Sequence, residues 1–597
     1  MSLTRRSMLK LSAAAAGSTA GLRLSGPAFS AALGLSNSVF QYGVASGDPL
    51  PNSVVIWTRV TPDPSATPGS GAGAPTLVDW VVATDSALTA TVASGSVTAS
   101  ASSDHTVKVD VPGLAPGTTY YYGFRALAQS SDTGTTRTTA LQPARVRFAL
   151  VSCSNYPAGY FTPYRFLAQR CDLDFVLHVG DYIYEYENGN FPTTPVPGRL
   201  HDPPTEIISL SDYRRRHAIY KSDQDLRALH AAVAWITTID DHETANDNWA
   251  GGAQNHQVPA EGNYIDRRNN SYQAYLEWMP IRLPTPAPTP TETRFYRRFE
   301  FGTLADLIML DLRQYRDQQV AFVDPVTASP TRAMAGATEA TWLFGHLDTP
   351  SPPAWRLVGN SVQFMQIDWP PGVFSATPWG TTRNVDAWDG YPAQRLVIEN
   401  KIAQHAADYD VVMLTGDIHS TWAAELPLFN TPGPQATGYT SIATEFVCSS
   451  VTSDNFDEIA GSAATSALLQ NVIRSLNPHV KLLEGDKHGC SIVDVDANRV
   501  QCDWYYVTSA TATDARRDPN ATLVHGFSYQ TRSGTKLVEP AAAPLVDDCG
   551  PAPMIPESQF PILLPITAAA AIGLTLAVRR RMQSASADDD TIDARER

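Results

Sequence analysis

The sequence predicts an α/β (α+β) catalytic domain that follows a small all-β domain. Residues 37–145 form short alternating runs such as "NSVVIWTRV" and "TTYYYGFRAL", separated by turns that contain Gly or Pro, a pattern typical of a β-sandwich. From residue 146 the pattern changes to strand, helix and strand, which implies parallel strands joined by crossovers. We therefore expect a catalytic domain over residues 146–545.

The all-β domain resembles a fibronectin type III domain. Residues 114–122, "LAPGTTYYY", are similar to the corner and penultimate strand of that fold. No residue in the domain suggests chemistry, so we expect it to pack against the catalytic domain and position it.

Composition and charge restrict the function. The chain has 597 residues and a formal charge of −16, with no basic stripe that could release counterions from a nucleic acid. The charge fits a protein that collects cations, and it fits plain solubility equally well. Six cysteines are too few for a disulfide scaffold, although Cys490 and Cys502 flank a predicted hairpin and could face each other. We expect a monomer without a nucleic-acid-binding surface.

The N-terminus predicts export. "TRRSMLK" precedes an Ala-rich run and small residues suited to cleavage, so residues 1–36 resemble a twin-arginine signal peptide and imply the twin-arginine export machinery as a partner. The alternative is an ordinary N-terminal helix. Twin-arginine export moves folded proteins, which matters for an enzyme that takes up its cofactor before export.

The C-terminus predicts a membrane anchor. Residues 546–559 form a Pro-rich linker, residues 560–578 are uncharged and largely apolar, and Arg579–Arg581 begin a tail that ends at residue 597. The lengths fit one transmembrane helix, and the arginines place the tail, residues 579–597, in the cytoplasm. We therefore expect an enzyme anchored at the cell surface. A faint likeness to a sortase signal at residues 564–568 is the alternative.

Four predicted strands end in polar residues with metal-binding side chains. "HVGD" ends at Asp181 and "LTGD" at Asp417, "AWITTI" is followed by Asp240 and Asp241, and "ALVSC" ends at Cys153. Ligands of such sheets bind beyond the carboxyl ends of the strands. The glycine before Asp181 and before Asp417 allows a close approach or an unusual φ. The strand ends therefore predict one shared cleft.

The types of side chain in this cleft indicate metal ions. Several carboxylates brought together repel one another unless cations hold them. Oxygen donors favour Ca²⁺, Mg²⁺ or Mn²⁺, while His, Cys and Tyr add affinity for Fe or Zn. The mixture predicts more than one metal, in the manner of two ions about 4 Å apart that catalyse phosphoryl displacement.

Five motifs together resemble the alkaline phosphatase D family of the calcineurin-like metallophosphoesterases. They are "FQYGVASGDP", "HVGDYIYE", "DDHETANDNW", "LIMLDLRQYRDQ" and "LTGDIHSTW", at 40–49, 178–185, 240–249, 307–318 and 414–422. The resemblance covers residues 37 to 530. It implies a metallophosphoesterase β-sandwich flanked by helices, and phosphodiesterase and alkaline phosphatase activity on phosphate mono- and diesters.

The resemblance also implies ferric iron and calcium ions, Fe(3+) and Ca(2+), and roles for individual residues. It assigns Cys153, Asp181 and Tyr184 to the iron and Asp240, Asn246 and Asp417 to calcium, with Asp241 and His419 in the same metal set. It places His242 near the leaving group. Arg313 in "LDLRQYR" and His488 in "EGDKHGCSI" are further candidates for catalysis on the chemistry of their side chains. The run "NDN" leaves the register of Asn246 open.

Several of these residues have simpler explanations. Cys153 could be a buried small hydrophobe, and Tyr184 could pack beside Tyr182 and Tyr186. Arg313 could bind phosphate through its fork or form a structural salt bridge, and His488 could be a loop residue.

The sequence predicts hydrolysis of extracellular phosphate esters by a metal-activated water. Teichoic-acid-like polymers, phospholipids and nucleotides remain open as substrates. The alternative class is a non-catalytic, metal-stabilised adhesin anchored at the surface, in which the residues at the strand ends would be dispensable.

Overall fold

The computed structural model describes residues 39–282, 293–320, 331–349, 353–377, 380–428 and 437–547. Two β-sheets face each other at its centre, and helices cover both outer faces. A third sheet belongs to the N-terminal part of the chain.

The first central sheet has ten strands. Its middle strands are parallel, and antiparallel strands extend it on both sides. In spatial order the strands are β24 (Glu539–Pro540), β23 (Thr522–Arg532), β22 (Arg499–Thr508), β21 (Gly489–Asp496), β9 (Arg145–Val151), β10 (Phe175–His178), β11 (Trp235–Thr237), β1 (Val44–Leu50), β2 (Ser53–Arg59) and β5 (Thr106–Pro112).

The second central sheet has seven strands, four of them parallel neighbours. In spatial order they are β12 (Arg297–Phe301), β13 (Ala305–Met309), β14 (Trp355–Asn360), β17 (Asp410–Thr415), β19 (Ser441–Val447), β18 (Thr421–Pro427) and β20 (Val480–Glu484). A separate two-stranded ribbon pairs β15 (Ser375–Ala376) with β16 (Thr382–Arg383).

Eight α-helices are present among the described residues. They are α1 (Thr162–Ala168), α2 (Leu210–Lys221), α3 (Gln224–Ala232), α4 (Tyr264–Trp278), α5 (Ala337–Leu347), α6 (Pro392–Gln404), α7 (Phe456–Ala460) and α8 (Ala463–Leu476). The first four pack on the outer face of the ten-stranded sheet. Helices α5, α6 and α8 pack on the outer face of the seven-stranded sheet.

Alternation along the strands explains the layers. In β9, Phe148 and Leu150 point into the space between the two sheets, while Ala149 and Val151 point to the helices. Successive side chains of a strand lie on opposite faces, and a strand covered on both faces is apolar throughout. This is why "FALV" is a continuous apolar run.

The N-terminal sandwich shares a sheet with the catalytic part. Its own sheet contains β4 (Thr91–Ala99), β3 (Thr76–Ala83), β6 (Thr119–Ala126), β7 (Gln129–Ser130) and β8 (Gly134–Arg137). Its other sheet is formed by β1, β2 and β5, and β1 continues the catalytic sheet through the parallel pair Gly47 and Trp235. The Tyr120 hydroxyl accepts from the Ala115 backbone N–H at 2.9 Å, as in a tyrosine corner.

The prediction of a C-terminal transmembrane helix is wrong as far as the structure describes the chain. Among the described residues no helix is long and apolar enough to cross a bilayer, and residues 560–578 lie outside them. The membrane anchor, the cytoplasmic tail and the anchored location at the cell surface are therefore unsupported. Residues 1–36 also lie outside the described residues, and the export signal there stays a prediction.

The proposed pairing of Cys490 with Cys502 is not observed. Strand pairing sets Cys490 opposite Tyr505 and Cys502 opposite Val493, so the two cysteines lie on different rungs of the ladder. Both are buried and neither forms a disulfide. Cys171, in contrast, is disulfide-bonded.

Trp278 at the end of α4 joins the helical layer to the N-terminal strands. It is fully buried, its ring lies 5.9 Å from Trp57 and 5.3 Å from Tyr42, and Nε1 donates to Asp104 at 3.1 Å.

We expect Trp278→Ala to lower the free energy of unfolding by about 3–5 kcal/mol, measured by denaturant unfolding. Leu468→Ala, at a side chain 69% exposed, is the control and should change stability by less than about 0.5 kcal/mol. Equal effects of the two changes would contradict the interpretation.

Candidate metal centre

The metal-binding side chains lie just beyond the carboxyl ends of parallel strands from both sheets. Cys153 follows β9, Asp181 follows β10, and Asp417 follows β17. The two sheets meet at this edge through a bridge between Ser152 and Ser450. The strand-end rule therefore accounts for why residues far apart in sequence converge.

The chain turns sharply at each of these positions. Cys153 has φ of 58°, Asp181 58° and Asp417 65°, all in the left-handed region that side chains other than glycine rarely adopt. Such residues cost about 1–3 kcal/mol each and cluster at functional sites. Three strained residues at three strand ends indicate a site that the rest of the fold holds in place.

The glycines of the two Gly-Asp pairs allow the strand ends to approach each other. A Cβ on Gly180 would lie 2.4 Å from the Asp240 Cβ, and Gly180 has φ of +113°. A Cβ on Gly416 would lie 2.7 Å from the Ser152 Cβ and 3.0 Å from Val179. Gly180 meets both a steric and a conformational requirement, whereas Gly416 meets the steric one alone.

One donor group combines sulfur, oxygen and nitrogen. Cys153, Asp181 and His419 each offer an atom within 4.8 Å of the others. The Tyr184 hydroxyl joins them, because it donates to Asp181 Oδ2 at 3.0 Å and lies 3.4 Å from His419 Nε2. All four residues are buried. This group contains the thiol of Cys153 and the phenol of Tyr184, for which the family resemblance implies a role as iron ligands.

A second donor group contains only carboxylates. Asp240, Asp241 and Asp417 offer oxygens within 4.8 Å of one another, and Asp240 Oδ2 is buried without a hydrogen bond. A third group, Asp181, Asp241 and His242, overlaps both. Asp181 and Asp241 therefore connect two groups: the mixed donor group (Cys153, Asp181, Tyr184 and His419) and the carboxylate group (Asp240, Asp241 and Asp417).

Burial and mutual repulsion work against ionisation of these side chains. Burial raises the pKa of Asp181 well above its usual range, Asp241 and Asp240 raise it further, and His242 opposes the rise. Burial likewise raises the pKa of the Cys153 thiol and of Tyr184, with Asp181 adding to both. A bound cation would reverse these effects, so the donor set fits a metal centre.

Arg313 lies inside the carboxylate cluster and is fully buried. Its Nε donates to Asp240 at 2.5 Å and its Nη1 to Asp386 at 2.8 Å. Its Nη2 lies 3.6 Å from Asp241 and 3.8 Å from Asp417. Arg316 also binds Asp386, at 2.6 Å. The two nitrogens of Arg313 that form hydrogen bonds, Nε and Nη1, therefore both donate to carboxylates of the protein.

His242 is oriented by a carboxylate that the sequence analysis did not single out. Its Nδ1 lies 2.7 Å from Glu185 Oε2, and Glu185 Oε1 accepts from the Asn246 backbone at 2.8 Å and from Asn255 Nδ2 at 2.9 Å. Burial works against protonation of His242, but Asp241, Glu185 and Asp181 hold its pKa well above the usual range. Glu185 directly follows Tyr184 in the same motif and lies four residues beyond the strand-end turn at Asp181.

Two predicted site residues lie at the periphery. The Asn246 side chain donates to Gln254 at 3.1 Å, while the carboxylate of the next residue, Asp247, lies within 4.8 Å of Asp241 and Asp386. His488 contacts Ser450 Oγ at 3.0 Å and Glu458 Oε1 at 3.2 Å. These contacts are with the loop after β19 and with α7, rather than with the aspartates at the strand ends.

The sequence analysis also missed Glu243, Asp386 and the loop of residues 449–455. Glu243 accepts from the backbones of Asp240 at 2.7 Å, Asp181 at 3.1 Å and Tyr182 at 2.5 Å. The loop follows β19 at the same sheet edge, so the strand-end rule could have found it. Asp386 follows no strand in the parallel sheets, and no local pattern indicates it.

Comparison with known proteins decides the family. The model of the PhoD-like phosphatases matches residues 148–504, and the model of their N-terminal domain matches residues 27–140. The chain belongs to the PhoD-like phosphatase family. It is 36% identical to alkaline phosphatase D of Bacillus subtilis (strain 168) over 510 residues, which cover 83% of this chain and 82% of that protein.

A solved structure agrees with this assignment. The structure described as "Structure of PhoD" superposes with a TM-score of 0.74 at 32% identity and covers 86% of this chain and 94% of that one. The protein is therefore a phosphoric ester hydrolase with phosphatase or phosphodiesterase activity, and it belongs to a metal-dependent family.

The glycine before Asp181 provides a test of the close approach. We expect Gly180→Ala to lower activity and metal content of this PhoD-like phosphatase strongly, because the new Cβ collides with Asp240. Gly189→Ala is the matched control, since Gly189 also has a positive φ, +86°, but has nothing within 4 Å of its added Cβ. Activity should be assayed together with bound metal. Similar losses in both variants would assign the effect to backbone strain and contradict the collision.

Proposed function

We propose that this phosphatase hydrolyses phosphate mono- and diesters at a centre that holds Fe³⁺ and Ca²⁺ side by side. The observation that carries the proposal is the pair of connected donor groups with different chemistry. Cys153, Asp181, Tyr184 and His419 would hold the iron, because thiolate, phenolate and imidazole suit a transition metal. Asp240, Asp241 and Asp417 would hold calcium, which prefers oxygen.

Asn246 and its neighbour Asp247 are the remaining candidates for the calcium side. The donation from Asn246 to Gln254 and the nearness of Asp247 to Asp241 favour Asp247 as the carboxylate of this segment that faces a cation. Asp247 is therefore the proposed calcium ligand of the run "NDN", whose register the sequence leaves open.

The bound ions would polarise the phosphoryl oxygens and supply an activated water as nucleophile. The side chains of the protein have separate work to do. Asp181 and Asp241 belong to overlapping donor groups and so keep the two groups together. The non-catalytic adhesin is not favoured by the family assignment.

His242 is the proposed acid for the leaving group. Its Nδ1–H donates to Glu185, which fixes the ring orientation and leaves Nε2 for proton transfer to the departing alkoxide. A histidine held by a carboxylate is the usual arrangement for such a role. His488 contacts Ser450 and Glu458. Its proposed role is therefore to hold the loop after β19 in place rather than to contact the substrate.

Arg313 is proposed to hold Asp240 rather than substrate phosphate. Its side chain is fully buried and two of its nitrogens bond to Asp240 and Asp386. Its third nitrogen, Nη2, makes no hydrogen bond within the described part of the chain but lies 3.6 Å from Asp241 and 3.8 Å from Asp417, so this side of the guanidinium also faces acids of the protein. Arg313 would orient Asp240 and offset part of the negative charge of the carboxylate cluster.

The bridging carboxylates provide the first test of the proposal. We expect Asp181→Asn and Asp417→Asn each to lose bound iron or calcium. Their activity should fall by more than the about 10–100-fold that follows removal of a residue that only orients a metal ligand. The assay would use bis-aryl and mono-aryl phosphates with elemental analysis of the purified protein. Asp348→Asn, at a half-exposed surface acid that pairs with Lys401, is the control. Full activity with metals retained in either site variant would contradict the proposal.

The His242–Glu185 pair provides a second test. An alkoxide leaving group needs a proton and a nitrophenolate does not, so His242→Ala and Glu185→Gln should slow alkyl esters by about 10²–10⁴-fold and nitrophenyl esters much less. The exposed His525, changed to Ala, is the control and should affect neither substrate. Equal losses on both ester types would exclude the acid role of His242.

A further inference from the structure

The loop of residues 449–455, between β19 and α7, contacts the mixed donor group from outside. The carbonyl of Cys153 accepts from the backbone N–H groups of Thr452 and Ser453, both at 3.3 Å. His419 Nδ1 lies 2.8 Å from the carbonyl oxygen of Asp454. The loop therefore touches two members of the group through its backbone.

Ser453 reaches a third member through its side chain. Its Oγ lies 2.5 Å from the Tyr184 hydroxyl oxygen and 3.0 Å from the Cys153 carbonyl oxygen. The hydroxyl has one proton, and the Cys153 carbonyl already accepts from two backbone N–H groups, so the proton is available for the shorter contact with Tyr184. Ser453 is fully buried, so no bulk water competes for this hydrogen bond. If the phenol gave up its proton to bind a metal, this donor would face an anionic oxygen, and hydrogen bonds of that kind are short and strong.

The rest of the Tyr184 residue is also fixed. Its backbone N–H donates to the Tyr220 hydroxyl at 3.2 Å, and its carbonyl accepts from Arg216. Its ring centroid lies 4.3 Å from that of His242. The phenol oxygen therefore has a defined position, in which Ser453 is the donor directed at it.

The loop that carries Ser453 is itself held rigidly. Arg516 donates to the Thr452 carbonyl at 2.7 Å and pairs with Asp454 at 2.8 Å. The Ser450 hydroxyl donates to the Ser453 carbonyl at 2.7 Å and contacts His488. These bonds restrict Ser453 before any metal binds, which is the arrangement expected of a residue that orients a ligand.

We propose that Ser453 is a positioning residue that sets the electron donation of the Tyr184 ligand to the metal. The inference rests on the proposed iron site. A hydroxyl that donates to a phenolate oxygen draws charge onto that oxygen and lowers the energy of the filled phenolate orbitals. Without it the phenolate donates more strongly, and the phenolate-to-iron absorption band moves to longer wavelength.

The experiment compares visible spectra of four purified holoenzymes with known iron content. Wild type and Ser453→Thr keep the hydroxyl and should share one band position. Ser453→Ala should move the band to longer wavelength by more than the scatter between wild-type preparations, with an activity loss of about 10–100-fold. Thr452→Val is the matched control, because it deletes a hydroxyl of the same loop that donates to the Asn155 carbonyl, and its band should not move.

The outcomes separate this inference from the proposed function. If iron is bound through Tyr184, the wild-type spectrum has a visible band that Tyr184→Phe abolishes. The absence of such a band overturns the iron assignment and this inference with it. A Tyr184-dependent band that stays in place in Ser453→Ala, at equal iron content, overturns the inference alone. If Ser453→Ala does not accumulate as folded protein, Ser453→Cys, whose thiol is a weaker donor, should show a smaller shift in the same direction, and an unmoved band there overturns the inference.

Discussion

The concentration of buried carboxylates at the meeting edge of two sheets is the constraint on which the rest of the site depends. Asp181, Asp240, Asp241 and Asp417 are almost fully buried, and burying unpaired charges is expensive. Part of the negative charge is offset by Arg313, which the protein supplies itself. The remainder calls for bound cations, and a metal-dependent phosphatase has a use for them.

The two-sheet architecture makes this concentration possible. A single parallel sheet brings neighbouring strand ends to one edge, whereas two facing sheets bring two such edges together across the bridge between Ser152 and Ser450. The mixed donor group then draws Cys153 and Asp181 from the first sheet and His419 from the second. The left-handed turns at these positions cost stability, and the tightly packed layers behind them provide it.

Much of this could be predicted from the sequence because the signals are local. The apolar run before Asp181 and the one before Asp417 each end where the strand ends, and the change of pattern near residue 146 coincides with the start of β9 at Arg145. Glu185, Asp386 and Ser453 were missed because their roles arise from tertiary contacts. The membrane helix suggested by the apolar run at residues 560–578 lies outside the described residues, among which no helix is long and apolar enough to cross a bilayer.

The segment after β11 shows why counting acids overestimates ligands. Glu243 lies among Asp240, Asp241 and Asp247, yet both of its oxygens accept from backbone N–H groups, those of Asp240, Asp181 and Tyr182. Asp240 Oδ2, in contrast, is buried with no hydrogen bond. An acid whose oxygens already have donors holds the loop in shape, and an acid with an oxygen left over can bind a cation. In this segment the hydrogen bonds distinguish scaffold from ligand, although the residue types alone do not.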